Sequence, residues 1–299
     1  MGTEFRKDVV TLIPRASHPA RKFGELSFAE IQKLTTRLTE EEKQSPYADL
    51  YEQENALSKE QERVIEGPPM NRADAFEPED YGIFMNRPGH CQAENGYCIL
   101  ESGIAYSAVL IRQPGRTNEK MEAYNREFAV EGALAYKIWC PGSHYYHYSD
   151  GAVEDFGYGL LNMKNMLDEE NYCNGIDITK LGICLEDVEN NDPDCLWIGG
   201  NYWKNYPILA NGISDQPIDM IIVNYLRKTE YGRELRIRMF GGAAIENGRI
   251  VRTKMPEMFD KLECARLHMK HLMMEYGNEA RLVNQFWERR KKSLHREVQ

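Results

Sequence analysis

Apolar positions along the chain change their spacing twice, and each change marks a different kind of element. Residues 1 to about 80 carry few large apolar clusters among many Glu, Gln, Lys and Arg. Ser27-Phe28-Ala29-Glu30 fits a capping box and predicts a helix running towards Gln44. A second helix is expected over Tyr47 to Ile65, ending where Gly67-Pro68-Pro69 breaks it. Neither carries a stripe wide enough for a core of its own, so both read as a cap or appendage.

From about Tyr97 the spacing becomes that of strands. Tyr97 to Arg112 holds a β-rich run (Tyr106, Val109, Ile111) that ends at Gln113-Pro114-Gly115, and Ala135 to Cys140 reads as another short strand. The best-defined segment is a meander of Ile218 to Leu226, Glu234 to Phe240 and Arg249 to Thr253. Its turns contain Tyr231-Gly232 and Glu246-Asn247-Gly248, and Asn-Gly is a strong hairpin signal. In the middle strand Leu235, Ile237 and Met239 alternate with Glu234, Arg236 and Arg238, which predicts one buried face and one that is wet or lines a polar site. Gly199-Gly200 and Gly241-Gly242 read as turn glycines, and Asn201-Tyr202-Trp203 suits an aromatic ligand and a core equally.

Past Pro256 the period becomes helical. Phe259, Leu262, Ala265, Met269, Leu272, Tyr276, Ala280, Val283 and Trp287 recur at three- and four-residue steps. About 30 residues of helix would be roughly 45 Å long. An antiparallel meander followed by one long amphipathic helix predicts an α+β fold, a curved sheet gripping that helix around a cavity.

Composition narrows the function classes. A net charge of −10 and a pI near 5.4 argue against a nucleic-acid binder, and the basic run Arg289 to Lys292 complements a helix C-terminus instead. The first 20 residues have no apolar run that would serve as a signal sequence, and no window approaches 18 apolar residues, so no membrane span is expected. Seven cysteines without a CxxC pair suit reduced, mostly buried thiols in a cytoplasm rather than a disulfide frame or a thiolate zinc site. GxSxG, P-loop and dinucleotide motifs are all absent.

Two constellations carry candidate chemistry. His268, His271 and Glu275 share one face of the C-terminal helix, and a His-x3-Glu pair can present an imidazole and a carboxylate to one metal ion. Such pairs are also common on solvated helices; this one lies beside Leu272 and Tyr276, close to the apolar stripe. The second is His144-Tyr145-Tyr146-His147 followed by Val153-Glu154-Asp155-Phe156-Gly157, which can supply the remaining ligands or form an ordinary polar loop.

These motifs together resemble the 2,4-diacetylphloroglucinol hydrolase and phloretin hydrolase family. The resemblance rests on Tyr136-Lys137-Ile138-Trp139 with Pro141 and His144, on Val153 to Gly157, on Asn224-Tyr225 leading to Arg236-Ile237-Arg238-Met239-Phe240-Gly241, and on His271-x3-Glu275. It covers roughly residues 80 to 290. It implies a helix-grip (Bet v1-like) domain over 81–299 behind an N-terminal helical extension over 1–80. It also implies one zinc ion per chain, held by His271 and Glu275 from the helix and by Glu154 from the sheet side. The family's remaining His precedes the Tyr-Lys-Ile-Trp segment, where this chain has Glu127-Phe128-Ala129-Val130-Glu131. Either His144 or His147 takes its place, or Glu127 or Glu131 does, or the site is altered and the activity with it; His144 is the expected fourth ligand.

The implied reaction is hydrolysis of the carbon–carbon bond between an acyl group and a phenolic ring. Glu154 or His144 would move the proton to the ring carbon, and Tyr225 or Tyr231 would hold phenolic hydroxyls. N/O ligands leave manganese and iron(II) open beside zinc. The expected partner is a small aromatic ketone, and the resemblance leaves a homodimer open. Two alternatives are a relative acting on another ketone or ester, and a non-catalytic helix-grip carrier of an aromatic small molecule.

Overall fold

The computed structural model describes residues 37–51, 57–128, 133–141, 144, 146–149, 153–156, 172–175, 178–206, 218–255 and 260–297. Its strands are β1 (Gly96–Ile99), β2 (Ala105–Pro114), β3 (Tyr146–Ser149), β4 (Val153–Phe156), β5 (Tyr172–Gly175), β6 (Cys195–Tyr206), β7 (Ile218–Thr229), β8 (Gly232–Gly241), β9 (Ala243–Glu246) and β10 (Arg249–Arg252). Six of them pair antiparallel in the order β1-β2-β8-β7-β6-β5, while β3 with β4 and β9 with β10 make separate hairpins. The helices are α1 (Lys59–Glu66), α2 (Tyr81–Met85), α3 (Asn118–Glu127), α4 (Ala133–Trp139), α5 (Val188–Asn191) and α6 (Lys261–Glu297).

The helix-grip arrangement expected from the sequence is present: α6, 37 residues long, lies against the curved sheet. Leu235, Ile237 and Met239 of β8, with Val109 and Ile111 of β2, meet Cys264, Ala265, Met269, Leu272 and Met273 of α6. Each fully buried Ile, Leu or Met contributes roughly 1.5–3 kcal/mol, so this seam is a principal source of stability. Ser107 donates its hydroxyl proton to the Ala265 carbonyl at 2.7 Å, tying strand to helix inside that layer. Beyond it, Leu282, Val283 and Phe286 of α6 pack against Tyr124, Phe128, Leu134 and Ile138 from the α3–α4 segment. A cavity of about 550 Å³ lies between α1, β2 and the Met273–Arg281 turns of α6. Among the described residues no helix is long and apolar enough to cross a membrane.

Several local expectations are corrected. Ala135 to Trp139 is helical as part of α4, with Cys140 just past its end, because Leu134, Ala135, Tyr136, Lys137 and Ile138 are all buried and no alternation survives to distinguish strand from helix. The Asn-Gly turn is where it was expected, with Asn247 at φ 49° and Gly248 at φ 73°, but it joins β10 to β9 and not to β8. Gly199 and Gly200 lie inside β6 and not in a turn; a Cβ on Gly199 would stand 2.1 Å from the Trp197 ring. The expected helix over Tyr47 to Ile65 is replaced by a 3-10 turn at Ala48–Leu50 and by α1, which Ser58 and Gln61 start with a capping box. The Ser27 helix start lies outside the described residues, and Glu42–Gln44 is a 3-10 turn.

The largest difference concerns the second face of the sheet. It is not wet. Tyr106, Val223, Tyr225 and Phe240 are covered by Phe76, Tyr81, Met85, Ile178, Leu181 and Val188. Arg236 and Arg238 project into this layer and are fully buried. Glu94 compensates them: its carboxylate accepts from Arg236 Nη2 at 2.6 Å and Nε at 3.1 Å, and from Arg238 Nη2 at 2.7 Å. Covering the face was possible only because this carboxylate sits between the two guanidiniums; alone, each would carry a large desolvation cost.

Burial by itself would raise the Glu94 carboxyl, but the Arg238 and Arg236 charges and hydrogen bonds overcome it and hold it at about 2. That folded value lies below the ordinary 4.5, so the stabilisation is complete above about pH 4.5 and is lost as the pH falls towards 2. It amounts to about 3 kcal/mol. Acid unfolding followed by circular dichroism should therefore steepen across that window. Glu94→Gln should flatten it and lower neutral-pH stability in urea by roughly 3–5 kcal/mol, because two buried cations lose their counter-charge.

Candidate metal centre

The candidate centre forms where the C-terminal end of α4 meets the middle of α6. Asn278 makes the joint: its side-chain amide donates to the carbonyls of Ile138 at 2.9 Å and Trp139 at 2.8 Å, two groups that the end of a helix leaves unpaired. Cys140 follows at once, and its carbonyl accepts from the His144 backbone N–H at 3.0 Å, closing a tight turn. That turn brings the His144 ring over the Tyr136 ring, stacked at 3.8 Å between centroids, and 5.4 Å from the His271 ring. Trp139 walls the site, edge-on to both His144 and Tyr276.

Cys140, His144 and His271 are all buried, and each offers a ligand atom within 4.8 Å of the other two. His271 Nε2 stands 3.3 Å from Glu275 Oε2 on the next turn of α6. Two ligands bound at about 2.0–2.1 Å to one tetrahedral ion are separated by about 3.3 Å, so this spacing suits a shared cation.

The protonation states agree with that use. Burial pushes the His271 imidazole down to about 4, which leaves it neutral with a lone pair at physiological pH. His144 Nδ1 lies 3.0 Å from the Tyr136 carbonyl, which only accepts; Nδ1 therefore carries the proton and Nε2 is left for a ligand bond. His268, a turn before His271, is pushed down to about 3 by burial and then by His271, against the opposing effect of the Cys264 carbonyl 3.2 Å from its Nδ1. These residues form a buried group able to hold a metal ion.

Of the residues expected from the sequence, the fold brings His144 and His271 together, and Glu275 lies against His271 but outside the group that Cys140 completes. Glu154 lies in β4 opposite Tyr148, in a hairpin whose first strand begins two residues after His144; its side chain lies outside the described residues. Tyr225 and Tyr231 are placed elsewhere. The Tyr225 hydroxyl is buried on the sheet face turned away from α6, donating to Asp192 Oδ2 at 2.8 Å, and burial followed by Cys195 and Asp192 pushes its phenol far up. Tyr231 donates to Glu234 Oε2 at 3.1 Å, in the turn between β7 and β8. Both hydroxyls are thus engaged by carboxylates of the protein itself.

Cys140 was missed. A search for CxxC pairs passes over it, and the signal that would have found it is the Cys-x3-His spacing of Cys140 and His144.

The match to known families falls on this same part of the chain. Residues 79–180, about a third of the whole, match the family model described as the DAPG hydrolase PhiG domain. That match supports the assignment to the hydrolase family already suggested by the motifs, and it spans Cys140, His144 and Glu154. No curated protein matches the chain.

Purified protein should retain about one divalent ion per chain by elemental analysis, and His271→Ala and Glu275→Ala should each lose it. Asn278→Ala keeps every ligand but frees the end of α4, so its metal affinity should fall about 10- to 100-fold without loss of stoichiometry at saturation.

Proposed function

We propose that this chain is a zinc-dependent hydrolase that cleaves the carbon–carbon bond between an acyl group and a phenolic ring, acting on phloretin- or acylphloroglucinol-like ketones. The observation that carries the reading is the pair of buried imidazoles of His144 and His271, the latter held neutral by burial and beside Glu275. The family match over residues 79–180 supports a hydrolase acting on acylphloroglucinol-type substrates. A divalent ion bound there would polarise the acyl carbonyl and acidify a water molecule.

The chain's own groups do the rest. His144 and His271 provide imidazole donors whose orientation is set by the Tyr136 carbonyl and by helix packing. Trp139, Tyr136 and Tyr276 form an aromatic wall suited to an aryl ring. Cleavage consumes one water and gives a carboxylic acid and the deacylated phenol. The departing ring carbon must take a proton, and Glu154 is the carboxylate assigned to deliver it.

The wild type should convert phloretin or an acylphloroglucinol to the free acid and the parent phenol, read by chromatography. Glu154→Gln should lower kcat by at least about 100-fold while metal content is kept at saturation. A metal-free wild type that binds such ketones tightly without turnover would replace this reading with that of a helix-grip carrier.

A further inference from the structure

We propose that Cys140 supplies a thiolate ligand to the metal centre, so that the ion is held by a mixed sulfur, nitrogen and oxygen set rather than by imidazoles and carboxylates alone. The inference rests on the metal reading above and deepens it.

Three observations place the sulfur there. Cys140 is wholly buried, and its Sγ lies within 4.8 Å of ligand nitrogens on both His144 and His271. Two backbone hydrogen bonds hold it: its N–H donates to the Tyr136 carbonyl at 3.3 Å, and its carbonyl accepts from the His144 N–H at 3.0 Å. One short turn therefore fixes the thiol and an imidazole relative to each other, four residues apart, while α6 brings the second imidazole from a segment 131 positions away in number from Cys140. Two ligands on one tight turn with others from a helix is a common way of building a zinc site.

The other cysteines behave differently. Cys98 and Cys195 lie in the apolar layer on the opposite face of the sheet, and Cys264 faces the sheet–helix seam. Cys184 is exposed.

A thiolate changes what the centre selects. Soft sulfur favours zinc and disfavours magnesium, calcium and manganese, which prefer oxygen ligands. It also adds negative charge to the ion's surroundings, so the ion withdraws less charge from its remaining ligands than it would in an all-nitrogen and oxygen site.

Cobalt(II) tests this without reference to turnover. The full-length protein, stripped of metal and reloaded with cobalt(II) chloride, should bind about one ion per chain and show an intense near-ultraviolet sulfur-to-cobalt charge-transfer band. Cys184→Ser should keep the band. Cys140→Ser should lose it and bind cobalt at least about 100-fold more weakly, beyond the range typical of losing a group outside the ligand set. Should Cys140→Ser fail to fold, Cys140→Asp replaces sulfur with an oxygen ligand and should retain the ion while losing the band. Stoichiometric cobalt with no charge-transfer band in the wild type, or a band that survives at Cys140→Asp, would overturn the thiolate and leave the metal reading standing. No cobalt binding at all would overturn both.

Discussion

The rotational phase of α6 is the constraint on which the rest of the molecule depends. One stripe of the helix, Ala265, Met269, Leu272 and Met273, is locked into the sheet by β2 and β8. Once that stripe is set, the 100° step of the helix aims His268, His271 and Glu275 away from the sheet, towards α4. A shift of one residue would bury the wrong side chains and turn the imidazole out of reach of His144. The hydrophobic seam thus acts as the positioning device for the polar site, and Ser107 bonding to the Ala265 carbonyl is one polar tie within it.

The far side of the sheet obeys a different rule. There the chain covers a strand that carries two arginines, and Glu94 is what makes that cover tolerable. A second buried set, Asp192 with Arg227 and Arg227 with Glu234, lies along the same layer at the β7–β8 end. Such pairs add little net stability relative to an apolar core, but each partner becomes indispensable once the other is buried. Tyr225 and Tyr231 belong to this network, and their hydroxyls serve its carboxylates.

The candidate centre has the opposite character, gathering ligand-type side chains rather than paired charges. The His144 imidazole stacked on Tyr136, the His271 imidazole tilted beside it and the Cys140 thiol form a buried, electron-rich cluster. Desolvation keeps His271 neutral, which favours a ligand role over that of an exposed, titrating base. Asn278 ties α6 to the end of α4, and the Tyr136 carbonyl orients His144 on the α4 side.

What the sequence determined by itself was the set of features written as local periodicity. The three- and four-residue steps past Pro256 specified α6, the alternation in β8 specified a strand, and His271-x3-Glu275 specified two groups on one helical face. The Asn-Gly turn was equally legible, because positive φ at both positions is a local requirement. Only the tertiary structure decided which elements meet. Arg236 and Arg238 read as a face that is wet or lines a polar site, because an alternating strand does not show that a distant Glu94 will cover its charge. α4 read as a strand because burial on every side erases the period that separates the two structures. Cys140 read as a small hydrophobe, since a thiol becomes a candidate ligand only when packing places imidazoles from His144 and His271 around it. Local pattern records which way a side chain points, and long-range packing alone determines what it finds there.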